Sequence, residues 1–141
     1  MKTILVGIDG SEQGWAALAR AGELARATGA SLQIAHITPT ISPLAAEEYQ
    51  TSVGGWVEGQ DSYSRGLLRE ALTRTKDFDV LVEPLSQAGS PAEALAELAQ
   101  AKSVTMAVVG HRGRNLAARL FVGSVADRLV QISPKPVLVV R

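Results

Sequence analysis

The sequence of 141 residues contains no cysteine. Without a thiol, the chain can form neither a disulfide framework nor a thiolate metal site, and its composition fits a reducing compartment. A second absence is an excess of basic charge, because the chain has fourteen Lys and Arg residues and fourteen Asp and Glu residues. Proteins that bind nucleic acid through its phosphates usually carry a clear basic excess. We therefore expect no nucleic-acid partner.

Long hydrophobic runs are also missing. The first apolar run, residues 3–8, ends at Asp9 and is too short for a signal peptide or a membrane span. We therefore expect a cytoplasmic protein with no membrane partner. Aromatic residues make up only 4% of the chain, although 46% of it is hydrophobic. This composition predicts one domain, residues 1–141, in which helices with small side chains pack closely on a sheet.

Segments with strand character alternate with segments of helical period along the chain. The predicted strands cover residues 3–8, 31–37, 80–85, 104–109 and 137–140. Four helices between them complete a βαβ unit, a loop and an αβαβαβ unit, which predicts an α/β fold with a mainly parallel sheet and helices on both faces. Pro84 places the third strand at a sheet edge, because proline cannot donate to a ladder. The fourth strand is the most apolar, so we expect it in the middle of the sheet.

Several boundaries follow from local signals. Residues 38–60 contain two prolines and three glycines and are predicted as a long loop or a partly ordered lid, with Asp61 as the N-cap of the next helix. Ser90, Pro91 and Glu93 predict a helix start with a capping box. The final helix is expected to bury its apolar face. That face comprises Val122, Val125, Ala126, Leu129 and Val130.

The most informative segment follows the fourth strand. It reads Gly110-His111-Arg112-Gly113, then nine residues, then Gly123-Ser124. Open α/β sheets bind ligands at the carboxyl ends of their strands. Glycines let backbone amides approach an anion, and a helix start favours negative charge. The Ser124 hydroxyl adds a donor, and Arg112 supplies a positive charge. The segment therefore predicts a loop that binds a nucleotide phosphate group.

Simpler interpretations exist for each candidate. Gly110 and Gly113 could form only a turn, with Ser124 capping the helix and Asp127 as its capping-box partner. Asp9, at the end of the first strand, is placed either to hold a ribose hydroxyl or to cap a helix. His36 is expected to be a packed core histidine. With two histidines and no cysteine, the chain has no Ser/His/Asp arrangement and no metal-ligand spacing, so we predict neither catalytic residues nor a metal site.

The glycine spacing resembles the ATP-binding signature of the universal stress protein family, and the resemblance extends over nearly the whole chain. Segments in register with those of the family are Ile4-Leu5-Val6-Gly7-Ile8-Asp9-Gly10-Ser11, Ala35-His36-Ile37, Gly89-Ser90-Pro91-Ala92-Glu93, Gly123-Ser124-Val125-Ala126 and Pro136-Val137-Leu138-Val139-Val140. The resemblance implies a Rossmann-like fold of the adenine nucleotide alpha hydrolase kind, with strand order 3-2-1-4-5. It also implies a homodimer that pairs the last strands. One local difference is His111, where the family often has a small residue.

Carried over to this sequence, the resemblance implies that ATP, with or without Mg²⁺, is the ligand. Asp9 would contact the ribose, Ile37 would meet the adenine through its backbone, and Val109 would line the pocket. The remaining residues would surround the phosphates. These are Gly110, Arg112, Gly113, Gly123, Ser124 and Val125.

Three functional hypotheses follow. The first is an ATP-binding regulatory or stress-response protein, because phosphoryl transfer requires a positioned base and a metal clamp and only Asp9 is acidic in the predicted site. Slow hydrolysis of ATP stays open under this hypothesis. The second is an adenylating-type ATP-cleaving enzyme, although residues 7–12 lack the Ser-Gly-Gly-x-Asp-Ser-like loop of that class. The third is a nucleotide-free dimeric interaction module.

Overall fold

The computed structural model describes residues 1–40, 42–48, 53–112 and 123–141. Its strands are β1 (Thr3–Gly7), β2 (Ser31–Thr38), β3 (Val82–Ala88), β4 (Val104–Gly110) and β5 (Val137–Val140). They form one five-stranded sheet in the order β3-β2-β1-β4-β5, and every neighbouring pair is parallel. The predicted α/β class, parallel sheet and strand order are confirmed.

Helices cover both faces of this sheet. They are α1 (Glu12–Thr28), α2 (Pro43–Glu48), α3 (Val53–Arg74), α4 (Pro91–Leu98) and α5 (Ser124–Ile132), with a short 3-10 helix at Lys76–Phe78. Alternate side chains of β1 enter opposite cores, because successive residues of a strand point to opposite faces. Ile4 and Val6 pack with α1 and α3, whereas Leu5 packs with α4 and α5. The two-faced burial explains the continuous apolar runs in the sequence.

Helix α1 begins and ends as its sequence indicates. The Ser11 hydroxyl accepts a hydrogen bond from the Gly14 amide at 3.0 Å, which caps the amino-terminal end. Gly29 closes the helix in the left-handed conformation, at φ 67°. Between these ends, Gly22 lies directly under the ring of Phe78, and a Cβ built on Gly22 would come within 2.3 Å of two ring carbons. The 3-10 helix therefore packs closely against α1.

The prediction of a loop or lid over residues 38–60 is wrong for the described residues from Pro43 onwards. Helix α2 occupies Pro43–Glu48, and the Ala45 amide donates to the Ser42 hydroxyl at 3.2 Å. Helix α3 then begins at Val53. Glycine lowers helix propensity by only about 1 kcal/mol per residue. A long helix that is anchored by packing further along can absorb this cost, because each added residue also adds a hydrogen bond.

Asp61 is not an N-cap, because it lies inside α3 and forms an exposed ion pair with Arg65 at 3.5 Å, one helical turn away. The anchoring part of α3 comes after this pair. There Ser64, Leu67 and Ala71 are buried at helical spacing. The glycines near the start of α3 kept the sequence analysis from predicting the amino-terminal half of the helix. The apolar period predicted only the second half.

Strand β3 lies at the sheet edge, as Pro84 predicts, but it occupies Val82–Ala88 rather than residues 80–85. The strand starts later because the 3-10 helix precedes it and Asp79 takes a left-handed turn at φ 55°. Strand β4 lies inside the sheet, between β1 and β5. Within the described ranges, no helix is both long and apolar enough to cross a membrane.

Helices α4 and α5 each differ from the sequence prediction in one respect. Ser90 is the N-cap of α4 and Pro91 follows it, but the Ser90 side chain makes no capping hydrogen bond. Glu93 instead pairs with Arg128 of α5 at 3.1 Å. In α5, Val130 is 57% exposed rather than buried, although its neighbour Leu129 is buried. Val122 lies outside the described residues.

Candidate functional site

A cavity of about 330 Å³ opens at the carboxyl ends of β1, β2 and β4. The chain passes from β1 to β2 on one side and reaches β4 on the other, so the cavity lies at the topological switch point of the sheet. Open α/β sheets bind ligands in this crevice. Its volume falls within the range of small-molecule sites, roughly 300–1,000 Å³.

The structure brings the predicted site residues together around this cavity. Those that line it are Asp9, Ile37, Val109, Gly110, Arg112, Gly123, Ser124 and Val125. Gly113, the remaining predicted residue, lies outside the described residues. The residues come from three strand ends and one helix start, which are far apart in the sequence. Their convergence makes one continuous wall, and the role of each in binding stays a prediction.

Asp9 lies in the turn between β1 and α1, and its carboxylate is oriented by the start of that helix. The backbone amide and the hydroxyl of Ser11 both donate to its Oδ1, at 3.0 and 2.5 Å. Gly14 lies against the same oxygen, because a Cβ there would approach Oδ1 to 2.9 Å. Asp9 therefore orders the helix start and also lines the cavity. The two interpretations of this residue are compatible.

Helix α5 points its amino-terminal end at the cavity. Gly123, not Ser124, is the N-cap, and the first intrahelical hydrogen bond runs from the Asp127 amide to the Gly123 carbonyl at 3.0 Å. The amides of Ser124, Val125 and Ala126 precede that bond, so the helix itself gives them no partner. All three residues line the cavity. The Gly123 amide donates to the His111 carbonyl at 2.7 Å and is therefore already engaged.

Arg112 gives the cavity a positive charge. Its Nε atom is buried and, within the described part of the chain, has no hydrogen-bond partner. An unsatisfied buried donor on a charged group costs free energy, and such groups in proteins normally find an acceptor. An anion in the cavity would supply one. Arg112 and the start of α5 thus favour the same kind of ligand.

Gly110, which lines the cavity, also has a packing role that the sequence did not predict. Gly110 does not adopt a positive φ. It is packed so closely on α1 that a Cβ would approach the carbonyl carbon and oxygen of Gln13 to 2.7 and 2.8 Å. His111 is not among the residues that line the cavity, and its amide donates to the Val140 carbonyl at 2.6 Å. Gly110 therefore lets the strand end approach α1.

His36 is a packed core residue, as predicted, with 5% of its surface exposed. Its Nδ1 lies 2.9 Å from the hydroxyl of buried Ser64, and that hydroxyl donates to Ser86 at 2.8 Å. The Ser64 hydroxyl thus links Nδ1 of His36 to Ser86. His36 joins β2 to α3 just below the cavity.

Sequence reasoning missed other residues of the cavity wall. These are Gly7, Ile8, Ser11, Gly14, Ala35, Pro91, Leu95 and Ala126. Most belong to segments that the sequence marks only as strand ends or helix starts. Their position before or after Asp9, Ile37 and Ser124 was the available signal. No group of three or more His, Asp or Glu side chains among the described residues is arranged to hold a metal ion.

The fold and cavity define a class of proteins, the open α/β folds that bind ligands at the switch point of a parallel sheet. The model of the universal stress protein family matches residues 1–141, and the chain belongs to this family.

Three relatives show how far the similarity extends. The "Universal stress protein in QAH/OAS sulfhydrylase 3'region" of Thermus aquaticus is 31% identical over 99% of this chain and 98% of its own length. Universal stress protein YxiE of Bacillus subtilis is 31% identical over 98% of this chain and 97% of its own. A universal stress protein crystallised in complex with cAMP is 32% identical over 99% and 96% of the two chains, with a TM-score of 0.71.

Proposed function

We propose that this protein is a regulatory or stress-response protein that binds ATP in the cavity at the carboxyl ends of β1, β2 and β4. One observation carries the proposal: Arg112, whose buried Nε has no partner among the described residues, and the amino-terminal end of α5 line the same cavity as Asp9. A site for anionic phosphates thereby adjoins a carboxylate that can accept hydrogen bonds from a sugar. This combination matches the chemistry of a nucleotide.

The proposed pose follows from the wall of the cavity. Asp9 accepts hydrogen bonds from the ribose through Oδ2, because Ser11 occupies Oδ1. Adenine lies beside the backbone of Ile37 and against Val109. The phosphates bind to Arg112 and to the first amides of α5, where the helix dipole favours negative charge. Gly123, which lines the cavity, places no side chain beside these amides. The relative with cAMP supports an adenine nucleotide as the ligand.

We propose a regulatory role in preference to a catalytic one. Within the described ranges, Asp9 is the one acidic residue that lines the cavity, and the pose assigns it to the sugar. Phosphoryl-transfer enzymes place a base or water-positioning group and a metal clamp around the reacting phosphate. The adenylating hypothesis would require rapid release of pyrophosphate, which a substrate-dependent assay measures directly.

Isothermal titration of the purified protein with ATP tests the proposal. We expect saturable binding in the micromolar to millimolar range, measured with Mg²⁺ and again with EDTA. Arg112→Gln should weaken ATP binding by about tenfold or more, because a hydrogen bond to a charged group contributes about 1.5–3 kcal/mol. Arg69→Gln is the matched control, since this exposed arginine of α3 does not line the cavity. The absence of binding at millimolar ATP would contradict the proposal.

The triphosphate itself can be tested by comparing ligands. ATP carries more negative charge than AMP or cAMP, so Arg112→Gln should reduce the affinity for ATP more than the affinity for cAMP. Equal losses of affinity for the two nucleotides would indicate that Arg112 contacts only one phosphate. Tighter binding of cAMP than of ATP by the wild-type protein would replace ATP as the proposed ligand.

We also propose a homodimer that pairs β5 of two copies. Strand β5 lies at the sheet edge, and its residues are apolar and half-buried. An apolar edge strand is open to pairing with another chain unless something covers it. A two-fold axis beside β5 would satisfy both copies at once.

A further inference from the structure

Tyr63 of α3 contacts the turn that carries Asp9. Its hydroxyl donates to the backbone carbonyl of Asp9 at 3.1 Å. The next residue, Gly10, has φ 83°, and a Cβ built on it would approach the Tyr63 hydroxyl to 2.7 Å. The turn therefore needs a glycine both for its left-handed backbone and for the space that Tyr63 occupies. The tyrosine hydroxyl and the turn fit closely together.

The place of Tyr63 is itself fixed by its neighbours. Its ring packs edge-to-face on the ring of His36, with centroids 5.6 Å apart. Ser64, the next residue along α3, is fully buried and bonded to both His36 and Ser86. These bonds tie α3 to the ends of β2 and β3. Tyr63 is thus held on a rigid support beside the cavity wall.

Asp9 is consequently held from two directions. Helix α1 holds its carboxylate through Ser11, and helix α3 holds its carbonyl through Tyr63. The Asp9 carboxylate can reach a ligand only through its other oxygen, and the direction of that oxygen depends on the turn. Loss of the tyrosine hydroxyl would free the turn on one side without removing any group that lines the cavity.

We propose that Tyr63 is a positioning residue of the nucleotide site, which acts through Asp9 to orient the carboxylate that binds the ribose. This inference rests on the proposed function. Tyr63 does not line the cavity, so its effect reaches the ligand only through the turn. Functional sites depend on such supporting contacts, because a small displacement of a binding group weakens its hydrogen bond.

Tyr63→Phe is the informative variant, because it keeps the ring that packs on His36 and removes only the hydroxyl. We expect the affinity for ATP to fall by about 2- to 10-fold, the worth of one hydrogen bond. The affinity for 2′,3′-dideoxy-ATP, which lacks the ribose hydroxyls, should not change. Ser62→Ala, an exposed neighbour on α3, is the control and should bind both nucleotides as the wild type does.

A double-mutant cycle separates positioning from a general structural effect. In an Asp9→Ala background, Tyr63→Phe should cause no further loss of ATP affinity. An equal loss for ATP and dideoxy-ATP, or a full additional loss in that background, would overturn the inference. Unchanged ATP binding by Tyr63→Phe would also overturn the inference. In each of these cases, ATP binding by the wild-type protein would leave the proposed function intact. A wild-type protein that binds no nucleotide would instead contradict the proposed function itself.

Discussion

Gly110, at the end of β4, lies against the backbone of Gln13 near the start of α1, and a Cβ built on Gly110 would approach the Gln13 carbonyl carbon to 2.7 Å. Backbone cannot swing aside as a flexible side chain can. We therefore expect Gly110→Ala to lower the free energy of unfolding by about 1–3 kcal/mol, the usual cost of overpacking. Urea unfolding measures this change.

Gly59 offers the matched control. It lies in the exposed part of α3, and a Cβ there would meet no atom within 4 Å. Gly59→Ala should raise the free energy of unfolding by up to about 1 kcal/mol, because alanine favours a helix more than glycine does. If Gly110→Ala proved as stable as the wild type, the close approach of β4 to α1 would be contradicted.

Ser64 links two polar groups and leads to a second prediction about stability. Ser64→Ala removes the hydroxyl that is bonded to the buried Nδ1 of His36. This loss should destabilise the fold by about 1–3 kcal/mol. Ser86→Ala should cost less, because Ser86 is exposed and water can replace its hydroxyl as an acceptor. Thermal unfolding of the two variants gives the comparison. Equal costs would contradict a special role for the buried bond.

The ion pair between α4 and α5 predicts a shifted titration. The hydrogen bond from Arg128 lowers the pKa of Glu93 below its ordinary value, with the Glu93 backbone amide and the Ser90 hydroxyl as further causes. The folded state thus favours ionised Glu93, so the pair contributes stability above the ordinary pKa and loses it as the pH falls through the lowered one. The contribution is small, because both side chains are half-exposed.

Carboxyl-detected NMR titration of Glu93 measures this pKa directly. In Arg128→Met the pKa should move up towards that of an ordinary glutamate. A Glu93 pKa that does not respond to Arg128→Met would show that the pair does not form in solution.

The sequence predicted the sheet well because its signals there are strong. The five apolar runs suffice to predict the parallel strands. Pro84, in the third run, suffices to predict that β3 lies at the edge of the sheet. The amino-terminal half of α3 escaped because Gly54, Gly55 and Gly59 resemble a loop locally. The helix is stabilised by later residues such as Leu67 and by its contacts with the sheet, which no local pattern reveals.

The candidate site shows a similar division. Asp9 and Arg112 could be found from their places after strand ends. The support of Asp9 by Tyr63 could not, because 54 residues separate the two and only the packing of α3 brings them together. The role of Gly110 was also hidden, since its contact is with Gln13 in a distant helix.

The proposed homodimer can be tested on the backbone of β5. The carbonyls of Pro136 and Val140 accept from amides on the β4 side, so the alternate residue Val139 directs its own amide towards the outer edge. Val139→Pro removes that outward donor and spares the ladder with β4. We expect the variant to be a folded monomer by sedimentation, while the wild type is a dimer. A wild type that sediments as a monomer would contradict the proposal.

Amide NMR of the labelled protein during titration with ATP shows where the nucleotide binds. We expect the largest shifts at the amides of Ser124, Val125 and Ala126 and at those of Asp9 and Arg112, and we expect these shifts to saturate together. Unchanged signals of these amides at millimolar ATP, or shifts that cluster away from the cavity, would contradict the proposed site.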